Sequence, residues 1–525
     1  MATDSTPPPP APARPARLSQ SMPATLGAVM AAHLAQHGER PFLVAPESGR
    51  TYSYADLARQ SARLSHALDA RGLQPGATIG TLLHNGWQTA TMFLGSMAGG
   101  YVCAPFNLLA QRTQLAYVIA HSECRLIFTS AEYVQQLDQA LQLIDEEARR
   151  AIAVEVIDVD APELFADLSA DFTEQGELPE DAPALLMYTS GTTGTPKGAL
   201  LTHHNLLAAA RSVAAWHSLT AADRVLSSLP LYHINGQVIA TVTPFLTGGS
   251  IVAPHRFSVG NWWQMVRWHQ PTWLNVVPTI IAYLLNAAEP GRNYLYPHVR
   301  FGRCASAPLP PDQHKAFERT FGIDIIEAMG MTESASVVFC NPADPSRRKY
   351  GTPGLPCGVE ARVVAPDGIA LADGITGELM LKGPNVMREY FKSPDETHAA
   401  LDADGWLHTG DLGYRDADGF YFVTGRIKEL IIKGGENIAP REIDEALLRH
   451  PAVLEAAAVG IPDRNYGQEI LACVVLKEGA QCDEAALRAH CMLELGSYKT
   501  PREFRFLQEL PKGPSGKVQR LKLLD

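Results

Sequence analysis

The sequence lacks several features that would assign it to other classes of protein. Its eight cysteines are dispersed along 525 residues without a Cys-x-x-Cys pair, so we expect no structural zinc and a reducing compartment. It has no apolar run long enough to span a membrane. Residues 1–20 have no apolar signal segment and are predicted to be a disordered leader. The last residues, Lys522–Asp525, are not a Ser-Lys-Leu peroxisomal address. A cytoplasmic protein is expected.

An excess of basic residues is also missing. The chain has 44 Lys and Arg against 56 Asp and Glu, a formal net charge of −12. This balance argues against a nucleic-acid surface and against a polybasic membrane face. The composition, 46% hydrophobic and 19% charged, is that of an ordinary globular protein. We expect an enzyme that acts on a small molecule as a monomer or homodimer.

The length and the patterning predict more than one domain, because single hydrophobic cores stop growing near ~250–300 residues. Helix and strand patterns alternate from a helix at 26–36 to a strand at 126–129, which predicts an α/β domain with a largely parallel sheet. Between 358 and 381 the pattern changes to short strands with Asp-Gly turns, which indicates a β subdomain. After Arg426, a strand at 429–432 and a helix at 440–450 predict a small α+β domain.

The segment Tyr188–Gly198 has the composition of a phosphate-binding loop. Its glycines let the backbone approach a ligand, its successive N–H groups can form an anion nest, and Lys197 adds a positive charge. The apolar run before Tyr188 predicts a buried strand. The apolar spacing from Leu200 to Trp216, with Thr202 as N-cap, predicts a helix. The expected order is strand, phosphate loop, helix.

This loop is not the common nucleotide loop, because Lys197 is followed by glycine and not by Ser or Thr. A flexible surface turn is the simple alternative. The segment closely resembles the signature of the adenylate-forming superfamily, which includes acyl-CoA synthetases, luciferase and peptide-synthetase adenylation domains. The resemblance implies that the loop holds the β- and γ-phosphates of ATP through Thr189, Ser190, Gly191, Thr192, Thr193, Gly194 and Lys197.

Two further segments resemble the family's nucleotide site. In Glu327–Glu333, the resemblance implies that Thr332 touches phosphate and that Glu333 binds Mg²⁺, a cation that prefers carboxylate and phosphate oxygens. Met329 and Gly330 would lie beside adenine, and the Met thioether, which replaces the usual aromatic residue, can still pack there. In Gly405–Leu412, Asp411 would accept the ribose hydroxyls. Taken alone, these segments could be an exposed loop and an ordinary Asp turn.

The segment Gly425–Ile438 resembles the family's hinge. The resemblance implies that Arg426 contacts ribose and α-phosphate and that Lys428 is the hinge of a domain rotation. It also implies that Lys433, Gly434 and Gly435 guide coenzyme A. The alternative is a β-hairpin with a Gly-Gly turn. The resemblance thus implies an N-terminal AMP-binding domain at 21–426 and a mobile C-terminal domain at 427–525.

Pro511–Arg520 resembles the family's terminal Pro-x-x-x-Ser-Gly-Lys, which makes Lys517 the adenylation lysine. By itself it could be a solvated charge on a tail. As an oriented charge it would stabilise the transition state at the α-phosphate, together with Arg426 and Thr332. No carrier domain follows Lys517 in this sequence, which favours a diffusible thiol such as coenzyme A.

Two segments are expected to line the acid and adenine sites. Leu229–Gly236 resembles the family's acid gate, which suggests His233, Asn235 and Gly236 as acid contacts, with a core histidine as the equal alternative. Phe301–Leu309 resembles the strand beside adenine and the acid, with Ser306 and Ala307 at the nucleotide. Arg303 stands out there, because a buried guanidinium needs an anionic partner. That partner is a structural carboxylate or a second anion on the substrate.

The predicted reaction is the ATP-dependent ligation of an acid to coenzyme A through acyl-AMP, with Mg²⁺. The segment that contains Arg303 resembles Arg-bearing segments of oxalyl-CoA synthetases. The resemblance implies that the acid is small and anionic, such as oxalate, malonate or sulfoacetate. The alternatives are an aryl- or fatty-acid CoA ligase, a free-standing amino-acid adenylating enzyme and a non-catalytic nucleotide-binding scaffold.

The assigned role of Lys517 gives a first test. Lys517→Ala should abolish acyl-AMP formation, because the transferring phosphoryl group loses its oriented charge, and should largely spare thioester formation from supplied acyl-AMP. The two half-reactions are measured separately by pyrophosphate release and by thioester yield. Equal loss of both would contradict the role.

Overall fold

A computed structural model describes residues 23–174, 178–189, 195–288, 295–512 and 518–524. The predicted leader at 1–20, the loop residues Ser190–Gly194 and Lys517 lie outside the described residues. Within these ranges, no helix combines the length and the apolarity needed to cross a bilayer.

The α-helices, in chain order, are α1 Leu26–His37, α2 Tyr54–Ala70, α3 Trp87–Ala98, α4 Arg112–Ser122, α5 Val134–Leu141, α6 Glu146–Arg150, α7 His203–His217, α8 Thr243–Thr247, α9 Val259–His269, α10 Pro278–Asn286, α11 Pro311–Phe321, α12 Pro394–Ala400, α13 Pro440–Leu448 and α14 Glu484–Lys499. The strands are β1 Pro41–Ala45, β2 Arg50–Ser53, β3 Thr78–Leu82, β4 Val102–Pro105, β5 Leu126–Thr129, β6 Ala153–Val156, β7 Pro183–Thr189, β8 Lys197–Thr202, β9 Arg224–Ser227, β10 Ser250–Val252, β11 Trp273–Val276, β12 Phe301–Cys304, β13 Ile325–Met329, β14 Phe339–Cys340, β15 Leu355–Pro356, β16 Glu360–Val364, β17 Gly377–Lys382, β18 Glu389–Tyr390, β19 Leu407–Arg415, β20 Tyr421–Arg426, β21 Ile431–Lys433, β22 Glu436–Ile438, β23 Val453–Asp463, β24 Gly467–Leu476 and β25 Glu503–Phe506.

Two large, mostly parallel sheets form the N-terminal part. One has the order β15-β14-β13-β12-β11-β9-β10-β1-β2, and its strands from β13 to β1 run parallel. The other has the order β18-β8-β7-β4-β3-β5-β6, with β7 to β6 parallel. The largest hydrophobic cluster contains residues of both sheets together with α3 and α7. The predicted α/β architecture is confirmed.

Two smaller sheets follow. Strands β16-β17-β19-β20 pair antiparallel, as expected from the Asp-Gly turns. The C-terminal strands β22-β21-β24-β23, with β25, form a separate sheet that packs with α13 and α14 around its own apolar clusters. A large N-terminal domain and a smaller α+β C-terminal domain result. The predicted strand at 429–432 is displaced, since Ile427–Glu429 form a 3₁₀ turn before β21.

The predicted order of strand, loop and helix around Lys197 is wrong in one respect. An antiparallel strand, β8, returns along β7 before the helix begins, and it pairs Thr189 with Lys197. Leu200 and Leu201 lie in this strand and are buried in clusters on its opposite faces. A short apolar run matches both a buried strand and a helix by spacing alone, which explains the error. Helix α7 starts only at His203.

Thr202 caps α7 as predicted. Its hydroxyl accepts a hydrogen bond from the Asn205 backbone N–H at 3.2 Å, and the Asn205 side chain accepts one from the Thr202 N–H at 3.0 Å. This reciprocal capping fixes the helix start directly after the strand that carries Lys197.

Thr202→Ala should lower the free energy of unfolding by about 1 kcal/mol, because the helix loses a side-chain cap. Urea unfolding followed by circular dichroism measures the change. Thr202→Ser keeps the hydroxyl and serves as the matched control. Identical midpoints for the Ala and Ser variants would contradict the capping role.

Candidate active site

A cavity of about 260 Å³ opens beyond the carboxyl ends of β12 and β13. This edge of a parallel sheet is the usual ligand position in α/β folds. The cavity brings together residues that the sequence motifs assigned to the nucleotide: Ser306, Ala307, Met329, Gly330, Asp411 and Arg426. Residues far apart in the chain therefore meet in one place.

Gly330 is required by close packing. A Cβ atom at this position would lie 1.1 Å from the backbone oxygen of Ser336. Only glycine lets the chain leave β13 in this direction and turn into the 3₁₀ segment Thr332–Ser334. Met329, the last residue of β13, packs against the main core at the cavity wall.

Asp411 and Arg426 are cross-strand partners on β19 and β20. Arg426 Nε lies 2.8 Å from Asp411 Oδ1, and this carboxylate raises the pKa of Arg426. Asp411 is 3% exposed, and its Oδ2 has no hydrogen-bond donor among the described residues. A buried carboxylate oxygen without a donor suits a ligand hydroxyl, such as those of ribose.

Tyr390 connects the predicted metal ligand with the phosphate-loop lysine. Its hydroxyl donates a hydrogen bond of 2.8 Å to Glu333 Oε1, and the Lys197 ammonium lies 5.1 Å from the centre of its ring. Burial raises the pKa of Tyr390 well above its usual value. Lys197 forms an ion pair with Glu396 on α12. The sequence motifs did not identify Tyr390 or Glu396, which lie on either side of Pro394.

The Glu333 carboxylate is a hard oxygen donor that fits Mg²⁺. Among the described residues, including those around Glu333, no group of three His, Cys, Asp or Glu side chains could hold a metal ion. A magnesium ion at Glu333 would thus complete its coordination with water molecules and with the oxygens of a bound phosphate. Thr332, its neighbour, is half-buried at the same turn.

Arg303 is the most unusual residue of β12, the strand that ends beside the cavity. It is 1% exposed, and none of its three side-chain nitrogens has a hydrogen-bond acceptor among the described residues. The buried thiols of Cys340 and Cys357 and the imidazole of His217 lie close enough to interact electrostatically with it. Burial raises the pKa of Cys340 to about 12 and lowers that of His217 well below its usual value. These neighbours are neutral at pH 7, so the guanidinium charge is uncompensated.

A chain of polar side chains borders Arg303. Asn275 is its register partner on the adjacent parallel strand β11. Asn275 Nδ2 donates to Asn235 Oδ1 at 3.1 Å, and Asn235 Nδ2 donates to Ser306 Oγ at 3.1 Å. The Oδ1 atom of Asn275 has no donor in the described part of the protein. Asn275 was not predicted, because an amide within an apolar strand carries no motif.

His233 lies beside this chain. Its Nδ1 accepts a hydrogen bond from the Asn235 backbone N–H at 3.3 Å. Burial lowers the pKa of His233 to about 4, so the ring is neutral and carries its proton on Nε2. Gly236 is the second residue of the π-helix Asn235–Val242, and a Cβ there would lie 2.5 Å from the Pro230 oxygen.

The turn predicted to face coenzyme A is exposed. Gly434 and Gly435 connect β21 to β22 with φ of 56° and 86°. The Lys433 side chain is buried and lies 3.0 Å from Glu469 Oε2. Lys428 is exposed in the 3₁₀ turn between β20 and β21. The roles of these residues, and those of Lys517 and Ser190–Gly194, stay predictions.

Glu327 is a cavity residue that sequence reasoning did not select. Its Oε1 accepts a hydrogen bond from the Leu309 N–H at 3.1 Å, and its Oε2 has no donor among the described residues. Burial raises the pKa of Glu327 to about 7, against the opposing charges of Arg441 and His314. The sequence did place Glu327 two residues before Met329, in a segment already predicted to lie at the nucleotide.

This pKa predicts a pH-dependent stability. Unfolded Glu327 ionises near pH 4.5, whereas the folded side chain keeps its proton to about pH 7. The folded state therefore loses stability as pH rises between these values, by about 1–3 kcal/mol. Glu327→Gln cannot titrate, so its stability relative to the natural protein should increase from pH 5 to pH 7.5. Urea midpoints at both pH values measure this, and a constant difference would contradict it.

Comparison with known proteins agrees with this geometry. The sequence model of the AMP-binding enzyme family matches residues 30–391, and that of the AMP-binding enzyme C-terminal domain matches residues 442–517. The chain is similar to the sulfoacetate–CoA ligase of Cupriavidus necator, with 55% identity over 95% of this chain and 97% of that protein. It is 33% identical to the oxalate–CoA ligase of Arabidopsis thaliana, over 89% of this chain and 91% of that protein.

Among solved structures, the fold is similar to that of ATP-bound MatB from Rhodopseudomonas palustris, with a TM-score of 0.86 and 30% identity. The superposition covers 96% of this chain and 98% of MatB. The matching family models, the similar enzymes and the shared fold lead to one conclusion. The chain belongs to the AMP-binding enzyme family.

Proposed function

We propose that this protein is a CoA ligase for a small acid that carries a second anionic group, with sulfoacetate as the first candidate. The chain is an ATP-dependent, AMP-forming acid–thiol ligase that uses Mg²⁺ and coenzyme A. The similarity to the sulfoacetate–CoA ligase of Cupriavidus necator supports the choice of acid. The buried, unpartnered Arg303 is the observation that carries it.

The buried charge of Arg303 requires a compensating group. An ionised side chain removed from water is unfavourable unless an opposite charge and hydrogen bonds compensate it. Arg303 has neither among the described residues, so its environment is completed by a bound anion. The planar guanidinium donates two parallel hydrogen bonds to sulfonate or carboxylate oxygens, which makes it suited to either group.

The other end of the acid must lie where its carboxylate can attack ATP. His233 carries its proton on Nε2 and can donate it to a carboxylate oxygen. Ser306, which is joined to Asn235 by a hydrogen bond, borders both the acid residues and the cavity. In this arrangement the acid is held at two ends, which favours a short substrate over a fatty or aryl acid.

The first half-reaction joins the acid carboxylate to the α-phosphorus of ATP and releases pyrophosphate. Asp411 would hold the ribose through its free Oδ2, and Arg426, oriented by Asp411, would face the α-phosphate. Lys197 would exchange its ion pair with Glu396 for the β- and γ-phosphates. Bound at Glu333, Mg²⁺ would neutralise charge on the polyphosphate.

The second half-reaction transfers the acyl group to sulfur. The thiol of coenzyme A attacks the acyl carbon, AMP leaves, and the thiol proton is released. In this proposal the C-terminal domain at 427–525 rotates about Lys428, Lys517 withdraws and the Gly434–Gly435 turn approaches the acyl-AMP. The proposed boundary between the rotating parts lies between Arg426 and Ile427.

A dicarboxylic acid is the second candidate, because the chain is also similar to an oxalate–CoA ligase and Arg303 would bind a carboxylate as well as a sulfonate. The two candidates differ in length and in the shape of the distal anion. A substrate panel of sulfoacetate, oxalate, malonate, acetate, hexanoate and benzoate separates them, with CoA-dependent release of pyrophosphate as the measurement.

Arg303→Met should lower kcat/KM for the preferred dianionic acid by at least 30-fold, since the loss of one partner of a buried charge pair typically costs about 2–5 kcal/mol. Turnover of acetate, which has no second anion, should change less than threefold. Arg303→Lys is the matched control, because it keeps the positive charge and removes the planar guanidinium with its paired N–H donors.

The same variant has a second expected effect. Without substrate, Arg303→Met should unfold at the same temperature as the natural protein or at a higher one, because it removes an uncompensated buried charge. Calorimetry with and without the acid measures this. Equal losses on acetate and on the dianionic acid, or natural activity only on apolar acids, would contradict the proposed substrate class.

A further inference from the structure

The exposed turn at Gly434 and Gly435 is held from beneath by aromatic residues. Both glycines have left-handed backbone conformations. A Cβ on Gly434 would lie 3.1 Å from the Tyr498 hydroxyl and 3.3 Å from the Tyr466 ring, whereas a Cβ on Gly435 would meet nothing within 4 Å. Gly434 therefore packs against the two tyrosines, whereas Gly435 has free space beside it.

The Lys433 side chain extends into this aromatic support and away from solvent. It is 6% exposed, and its ammonium lies 5.6 Å from the centre of the Tyr466 ring and 5.1 Å from that of Tyr498. The ammonium is 3.0 Å from Glu469 Oε2 and donates to the Tyr498 backbone oxygen at 2.9 Å. Its charge is thus satisfied inside the protein and is not presented to a ligand.

Two more hydrogen bonds fix the backbone of the turn. The Tyr498 hydroxyl donates to the Lys433 backbone oxygen. The Gly434 N–H donates to the Tyr466 backbone oxygen at 2.8 Å. Tyr498 reaches this position because α14 is interrupted at Gly496, where φ is 74°. Residues from two distant segments, at 466–469 and at 498, therefore converge on a turn of two glycines.

We propose that Lys433, Glu469, Tyr466 and Tyr498 form a clamp that presets the Gly434–Gly435 backbone for the thioester-forming half-reaction. This inference rests on the proposed function. A Gly-Gly turn is among the most flexible backbone segments, and its ordering at the moment of reaction would be unfavourable. The clamp orders it beforehand, so that its open side can guide the thiol. Lys433 is then a positioning residue, which acts through the backbone and does not contact coenzyme A.

Tyr498→Phe tests the clamp with the smallest change, because it removes only the hydroxyl that donates a hydrogen bond to the Lys433 backbone oxygen. Acyl-AMP formation, measured by pyrophosphate exchange, should stay within twofold of the natural enzyme. Thioester formation from the same acyl-AMP should fall about 3- to 10-fold, the value of one hydrogen bond. The loss should appear in kcat at saturating coenzyme A, with little change in KM.

A double variant, Lys433→Met with Glu469→Leu, removes both buried charges together and leaves neither unpaired. A larger selective loss of thioester formation is expected. Lys499→Met, which removes an exposed lysine paired with Glu442 in the same domain, is the control and should change neither half-reaction.

Hydrogen–deuterium exchange gives a readout that does not depend on any substrate. In Tyr498→Phe the amides of residues 433–436 should exchange faster, while those of β23 and β24 stay unchanged. Unaltered exchange at the turn would overturn the clamp even if the enzyme class is right. Equal loss of both half-reactions, or a rise in the KM for coenzyme A without a change in kcat, would also overturn it. A natural enzyme that makes acyl-AMP but never a thioester would instead overturn the proposed function and the transfer role with it.

Discussion

Parallel hydrogen bonding among β11, β12 and β13 determines where the polar groups of the two binding sites lie. Parallel strands end at a common edge, so the residues that follow them meet there. The register between β11 and β12 pairs Asn275 with Arg303, and the turns after β12 and β13 bring Ser306 and Gly330 to the same cavity. Arg303, which is proposed to bind the acid, lies within the sheet, and the cavity proposed for the nucleotide opens at the edge of that sheet.

The basic residues of the proposed sites differ in whether a carboxylate of the protein pairs with them. Lys197, Arg426 and Lys433 have carboxylate partners in Glu396, Asp411 and Glu469, which compensate their charges in the absence of a ligand. Arg303 has no such partner among the described residues. A paired cation can bind phosphate by exchange or serve as a structural element, whereas an unpaired buried cation is stabilised chiefly by the anion it binds. In the proposed function, this difference distinguishes Arg303, which would bind the acid, from basic residues whose proposed roles do not depend on the acid.

Buried carboxyls show the complementary effect. Glu327 stays protonated to near neutral pH because burial outweighs the nearby positive charges, and it lines the same cavity as Asp411. Asp411 has Arg426 on the adjacent strand, and Glu327 has only a backbone N–H on one oxygen. One cavity thus holds two buried carboxyls with different polar neighbours, and at Glu327 the effect of burial dominates.

The sequence alone determined the α/β class and the small C-terminal domain, and it selected six of the residues that line the cavity, because short motifs hold those residues in fixed local order. It also selected Arg303, since a basic residue in an apolar strand is conspicuous. The return strand β8 could not be predicted, because the spacing around Leu200 fits a helix equally well. Whether Arg303 had a partner was decided only by the tertiary structure, as were the links of Tyr390 to Glu333 and of Lys433 to Glu469. These depend on residues 36 or more positions apart in the chain, and side-chain partners at such separations are set by packing, which no local pattern encodes.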